Sequence, residues 1–278
     1  MSELNPITHE EQQLAAILEG KEPLKPILHE DLFYAALAKG EVPTAKPITR
    51  KEMYLKAIAE KGLGGGGGGD TSELEQSFID IIEGNSVKTS LPSGLKKIDE
   101  YAFYTHKKLD LDHLPEGITS IGQFAFKDCA NLSLTYLPEG LTTVSYSSFQ
   151  GCKKLALTSL PEGLTSIGNY ALENCTSLAL TSLPEGLTSI GNNAFKGCTK
   201  LALTYLPEGV TIVSYSSFYG CTSITELTFK GKPNIVGSDA FGKCTNLLTI
   251  NVPWAEGEVA NAPWGATNAQ INYNYTGA

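Results

Sequence analysis

The sequence predicts an α+β repeat solenoid, and three observations predict it. The first is a period: Leu91, Leu114, Leu137, Leu160, Leu183 and Leu206 each open a repeat, every one 23 residues after the last. The second is the text that recurs, LPEGLTSIGNYALENCTSLALTS from Leu160 and LPEGLTSIGNNAFKGCTKLALTY from Leu183. A seventh repeat keeps the frame through Phe241 and Cys244 without the opening motif. The third is a change of pattern at either end, to helical spacing before Leu91 and to alternation after Asn251. Leucines at fixed offsets with a period of about 20–29 residues mark a leucine-rich-repeat stack, whose coils bury a core only by lying on one another.

Each repeat carries three sets of apolar anchors. The opening Leu is followed by Pro and usually Glu-Gly. Pro fixes its own φ and Gly accepts unusual dihedrals, so LPEG marks a strand end and a tight turn. The pair four and seven residues on, Leu187 and Ile190 in the fifth repeat, suits a short extended piece. An Ala-Phe step follows (Ala194, Phe195), then Leu201 and Leu203 after Gly-Cys. Strands about 4.8 Å apart would make seven such coils a rod of roughly 30 Å.

The cysteines Cys129, Cys152, Cys175, Cys198, Cys221 and Cys244 all fall in one column of the repeat, and His106 stands there in the first. No CxxC pair exists, which argues against a metal site. Side chains in a ladder point the same way, which is poor disulfide geometry. Free Cys packs as a small buried hydrophobe, so the expectation is a structural ladder of thiols.

The string L-P-x-G-[LI]-T-S-I-G-x-x-A-F-x-x-C-x-x-L resembles the BspA-type, or Treponema-type, leucine-rich repeat, with Leu172 in place of Phe and LPEG missing from repeat seven. That resemblance implies a non-enzymatic binding scaffold of the kind found on bacterial surface adhesins and in proteins encoded by phages and prophages of gut bacteria.

Before the repeats, residues 1–62 hold a shorter repetition: NPITHEEQQLAAILEG, KPILHEDLFYAALAKG and KPITRKEMYLKAIAEKG. Thr8 with Glu11 and Thr49 with Glu52 fit the capping box. Leu14 and Ile17, Tyr34 and Leu37, and Leu55 and Ile58 form one stripe of a short helix repeated three times. Helices this short are marginal alone. Two readings stand: a loosely helical leader, or a docking arm whose stripe needs a partner to cover it. The arm's pattern is similar to the leading segments of virion proteins from phages of Gram-positive gut bacteria. This implies docking to other virion proteins, a place on the particle surface, and a stay in the host cytoplasm during assembly. The glycine run within 63–70 is a tether, since Asp70 follows it where a phosphate loop needs Lys-Ser/Thr. Ser72 and Glu75 then cap a helix over 71–84, the expected N-terminal lid of the solenoid, which takes 85–251. Residues 252–278 form a C-terminal cap, closed by a strand through Ile271, Tyr273 and Tyr275, with Trp254 and Trp264 as either core or a sugar-stacking platform.

Charge and motif narrow the function. Net charge is −9 with one arginine, Arg50, which disfavours nucleic acid. The first twenty residues have no apolar core of signal-peptide length, and no run is long enough to span a bilayer, so export by a leader and membrane insertion are not expected. His9, His29, His106 and His113 lack ligand spacing, no serine sits in GxSxG, and the Glu column (Glu116, Glu139, Glu162, Glu185, Glu208) reads as solvated turn surface. No cofactor, metal or catalysis is expected. The columns that vary from turn to turn carry tyrosines: Tyr136, Tyr146, Tyr205, Tyr215 and Tyr219. These are the candidate contacts for a host cell-surface protein or glycan, with Tyr146, Tyr215 and Tyr219 expected on one exposed strip; the alternative is that the rings pad the rungs or pack against a neighbouring subunit, in a structural or decorative virion protein with no ligand. Self-association through the solenoid is the remaining partner expectation.

Overall fold

The computed structural model describes Leu91 and residues 94–277. The arm with Leu14, Ile17, Tyr34, Leu37, Leu55 and Ile58, the tether and the capping helix over 71–84 lie outside the described residues. Positions within a rung are counted below from its opening residue as zero, and rung seven is counted from Phe229.

One short parallel strand per rung forms the main ladder, which is interrupted between rungs two and three. These are β1 (Lys97–Ile98), β2 (Ser120–Ile121), β3 (Thr143–Val144), β4 (Ser166–Ile167), β5 (Ser189–Ile190), β7 (Ile212–Val213) and β9 (Ile235–Val236). Register follows the period, with Ser166 opposite Ser189 and Ile167 opposite Ile190. The first residue of each strand faces outward and the second is buried, as alternation of side chains along a strand requires. The next position is Gly122, Gly168, Gly191 or Gly237, where a Cβ would come within 2.4–3.0 Å of the preceding rung's backbone. A second parallel ladder lies in the C-terminal rungs, from β6 (Tyr205–Leu206) and β8 (Glu226–Phe229) to β10 (Thr249–Asn251) and β11 (Gln270–Asn272).

The helices behind the α+β expectation fall in 1–62 and 71–84, outside the described residues; among the described residues the solenoid is β-strand and turn, with no helix. The reason lies in the Ala-Phe segment. Position 10 is left-handed in the first six rungs (Tyr101, Phe124, Ser147, Tyr170, Asn193, Ser216), with φ between 47° and 57°. Position 14 is left-handed as well, at Thr105, Asp128, Gly151, Asn174, Gly197, Gly220 and Lys243. A left-handed residue every fourth position forbids an α-helix. It turns successive N–H groups toward the neighbouring rung instead. Phe124, Phe126 and Asp128 thus donate to the carbonyls of Tyr146, Ser148 and Gln150 at 2.7–3.0 Å.

Inside, Phe103, Phe126 and Phe149 stack at 5.2 and 5.3 Å, and Phe195, Phe218 and Phe241 at 5.3 and 5.5 Å, with Leu172 between the two runs. All six cysteines are free and buried. Each thiol donates to the carbonyl of position 12 one rung earlier, from Cys129 to Phe103 O at 2.9 Å through Cys244 to Phe218 O at 3.1 Å. Burial pushes the thiols of Cys152, Cys175, Cys198 and Cys221 well above their ordinary range, and that of Cys244 up to about 11.

The last coil is closed by the C-terminal residues. Phe241 donates its N–H to Trp264 O at 2.9 Å, as it would to a further rung. Trp254 and Trp264 are buried over Phe229, and the Trp264 indole donates to Ala260 O at 2.7 Å. The tryptophans are lid and core, so the sugar-platform alternative falls. A stack must cover its terminal apolar edge, and two large rings do that with few residues.

Candidate binding faces of the solenoid

The outer side of the main ladder consists of positions 5, 6, 8 and 9 of each rung, and all of these side chains are exposed or half-exposed. In rung one the four are Lys96, Lys97, Asp99 and Glu100, every one charged. From rung two to rung seven not one is charged, in a chain whose residues are 18% charged. Thr fills position 5 from Thr119 to Thr211, Ser or Thr fills position 6 from Ser120 to Ser189, and Gly or Ser fills position 8. The threonines knit the rungs together: Thr165, Thr188 and Thr211 each donate a hydroxyl to the carbonyl of the Thr one rung before, at 3.0–3.2 Å. At position 9, Asn169 Oδ1 accepts the Asn192 N–H at 2.8 Å and Asn192 Oδ1 accepts the Tyr215 N–H at 3.1 Å. The Nδ2 groups of both asparagines have no partner among the described residues.

The five candidate tyrosines differ in setting. Tyr215 stands 53% exposed and Tyr136 39%. Tyr146 is half-buried, edge-on to Phe124 and Tyr170 at 5.0 and 5.7 Å between ring centroids. Tyr205 is covered on one face by Lys230, whose Nζ lies 3.6 Å from the ring centroid. Both Lys230 Nζ and the Tyr205 hydroxyl donate to Glu185 Oε1, at 2.9 and 3.2 Å. Those bonds, the lysine's first, hold the Glu185 carboxyl below its usual range. Tyr219 is half-buried with Lys243 5.4 Å from its ring. Tyr146 and Tyr219 are therefore packed where Tyr215 is open, and the three do not form a uniformly exposed strip.

Two features lie outside the repeat motif. Ile212 and Ile235 pair across β7 and β9 and are 37% and 55% exposed where earlier rungs present Ser or Thr. The switch is visible in the repeat column, yet leucine spacing draws the eye to the inward positions. At position 13, Gln150, Glu173 and Lys196 meet across consecutive rungs. Glu173, 5% exposed, accepts from Gln150 Nε2 and pairs with Lys196 Nζ at 3.1 Å.

The five glutamates of position 2 are exposed. Among the described residues no group of three His, Cys, Asp or Glu side chains gathers as a metal site would need. His113 Nδ1 lies 2.5 Å from Asp112 Oδ1, both exposed. No helix among these residues is long and apolar enough to cross a membrane.

The family model described as BspA type leucine rich repeat region matches in six copies over residues 82–201 and 165–260. None of the curated proteins matches the chain. Among solved structures, a leucine-rich repeat protein of T. pallidum is 33% identical, covering 58% of this chain and 78% of its own, with a TM-score of 0.51. A leucine-rich cell surface protein of Faecalibacterium prausnitzii is 26% identical, with a TM-score of 0.53 over 60% of this chain and 48% of that one. A leucine-rich repeat protein of Bacteroides ovatus is 20% identical, over 68% and 70%, with a TM-score of 0.34.

Proposed function

The chain belongs to the family of BspA-type leucine-rich repeat proteins, and we propose that it is a non-enzymatic attachment protein of a phage particle. Residues 1–62 dock to other virion proteins, and the solenoid is displayed toward a host surface. The observation that carries the attachment half is the uncharged outer face of rungs two to seven, with Tyr215 standing out of it. A repeat scaffold offers extended surfaces for binding, and Tyr gives contact area at low entropic cost. The particle half rests on the thrice-repeated stripe of Leu14 and Ile17, Tyr34 and Leu37, and Leu55 and Ile58, a face that calls for a partner. Mass spectrometry of density-banded particles from the producing strain tests this. The full chain is expected in the particle band, and a chain lacking 1–62 is expected to fold but stay out of it. Normal incorporation of the shortened chain would remove the docking role.

A second reading is a bacterial surface adhesin, favoured by similarity to the F. prausnitzii protein, whose description places it at the cell surface. Recovery of the chain from cell envelopes, with none in particles, would decide for it.

A further inference from the structure

Resting on the attachment reading, we infer that the ligand is a neutral glycan chain lying along the solenoid axis over rungs three to six, with Tyr215 as its stacking platform. The absence of charge is what selects this class. A nucleic acid, an acidic polysaccharide or an anionic lipid surface needs cations, and rungs two to seven offer none at the four outward positions of the main ladder. A folded protein partner of ordinary affinity needs roughly 800 Å² per side and pockets for anchoring side chains. From rung three to rung five this face is paved with Thr, Ser, Gly and Asn around the half-buried Tyr146 and leaves such anchors nothing to fill, and the exposed Ile212 joins Tyr215 only at rung six.

A neutral sugar chain asks for something else: evenly spaced donors and acceptors at a flat surface, and an aromatic face for its C–H groups. Asn169 and Asn192 have turned their Oδ1 atoms to the backbone, which leaves Nδ2 as the outward donor. Thr165 and Thr188 have given their hydroxyl protons to carbonyls, so their outward lone pairs accept. A sugar hydroxyl does both. The Tyr215 ring, 53% exposed, closes one end and the packed edge of Tyr146 the other. Three rungs separate them, about 14 Å at the usual strand spacing, which is the span of a short oligosaccharide. The fully charged rung one bounds the face beyond.

Affinity electrophoresis of the full chain tests the inference, in native gels containing yeast mannan, dextran, arabinoxylan or mixed-linkage β-glucan, with alginate as the anionic control. Retardation by at least one neutral polymer and none by alginate is expected. Tyr215→Ser and Asn192→Ala should each weaken it about tenfold, while Tyr215→Phe keeps it. Free migration in all four neutral gels, or retardation indifferent to Tyr215→Ser, overturns the assignment. Failure here by a chain that is nevertheless present on particles removes the glycan and leaves the attachment reading standing. Binding here by a chain found in neither particles nor envelopes does the reverse.

Discussion

Rungs three and six contain the same six-residue string, VSYSSF, at 144–149 and 213–218, and the solenoid treats its tyrosine differently in each. Tyr146 is half-buried, wedged against Phe124 and Tyr170; Tyr215 is 53% exposed. The string cannot be the cause. Position 10 in the rungs on either side is aromatic around Tyr146 but is Asn193 and Asp239 around Tyr215. The backbone differs too. Ser214 donates its N–H to Ile190 O at 3.0 Å, whereas in rung three the Ser145 hydroxyl takes that role toward Ile121 O at 2.6 Å. No pairing joins β2 to β3. In a stack, a residue's inward half is set by its own repeat and its outward half by the repeats on either side.

If that division holds, perturbing what the two rungs share should cost the same in both. The largest effect is expected from the thiols. Burial raises Cys152 of rung three and Cys221 of rung six, and with them Cys175, Cys198 and Cys244. An unfolded thiol titrates near pH 8.5. Above that the unfolded chain sheds protons that the folded chain keeps. The stabilisation is therefore complete below about pH 8.5 and declines as pH rises, by up to about 1.4 kcal/mol per pH unit for each thiol. Denaturation midpoints should drop steeply between about pH 8.5 and 10.5, and Cys152→Ala and Cys221→Ala should flatten the curve equally. A midpoint constant to pH 10 would mean the thiols are not buried in solution.

Next come the rings. Phe149 and Phe218 are 1% and 0% exposed in the same stacked column. Each Phe→Ala should cost about 3–5 kcal/mol, and urea unfolding should find the two alike. A gap well beyond about 1 kcal/mol between them would show that neighbouring rungs reach into the core as well.

A smaller effect separates the rungs at position 13. Gln150 of rung three is tied to the buried Glu173, whereas its counterpart Tyr219 lies half-buried beneath Lys243. Glu173→Ala should cost about 1–3 kcal/mol by leaving Gln150 and Lys196 unmatched, and Glu173→Gln less. Thermal melts of both variants check the order.

The period made the inward half legible. A residue recurring at a fixed offset must share one environment, so the opening leucines, the phenylalanine column and the buried thiols could be placed from spacing alone. The left-handed turn was not legible. At position 10 the first six rungs carry Tyr, Phe, Ser, Tyr, Asn and Ser, with no glycine to betray a positive φ. Contacts between rungs were hidden for another reason. Lys230 covers Tyr205 and reaches Glu185, 45 residues away, and nothing in a 23-residue frame marks a bond that skips a rung. The candidate tyrosines were found by their column, but which of them stands open depends on such neighbours.

The smallest effect is also the most direct test of the comparison. Tyr146→Ser removes two edge-on ring contacts, each worth about 0.5–1.5 kcal/mol beyond the area lost, so a destabilisation of about 1–3 kcal/mol is expected. Tyr215→Ser removes a ring that is more than half in solvent. It should stay within about 0.5 kcal/mol of the unmodified chain, as surface changes do. The reciprocal exchange sharpens this. Placing rings beside Tyr215 by Asn193→Tyr, at a left-handed position where Tyr101 and Tyr170 already accept that φ, should draw Tyr215 into contact and make a later Tyr215→Ser costly. A double-mutant cycle measures that coupling, expected at about 0.5–1.5 kcal/mol. A coupling of zero, in a folded variant, would mean that rung three itself, and not its neighbours, holds Tyr146 in place.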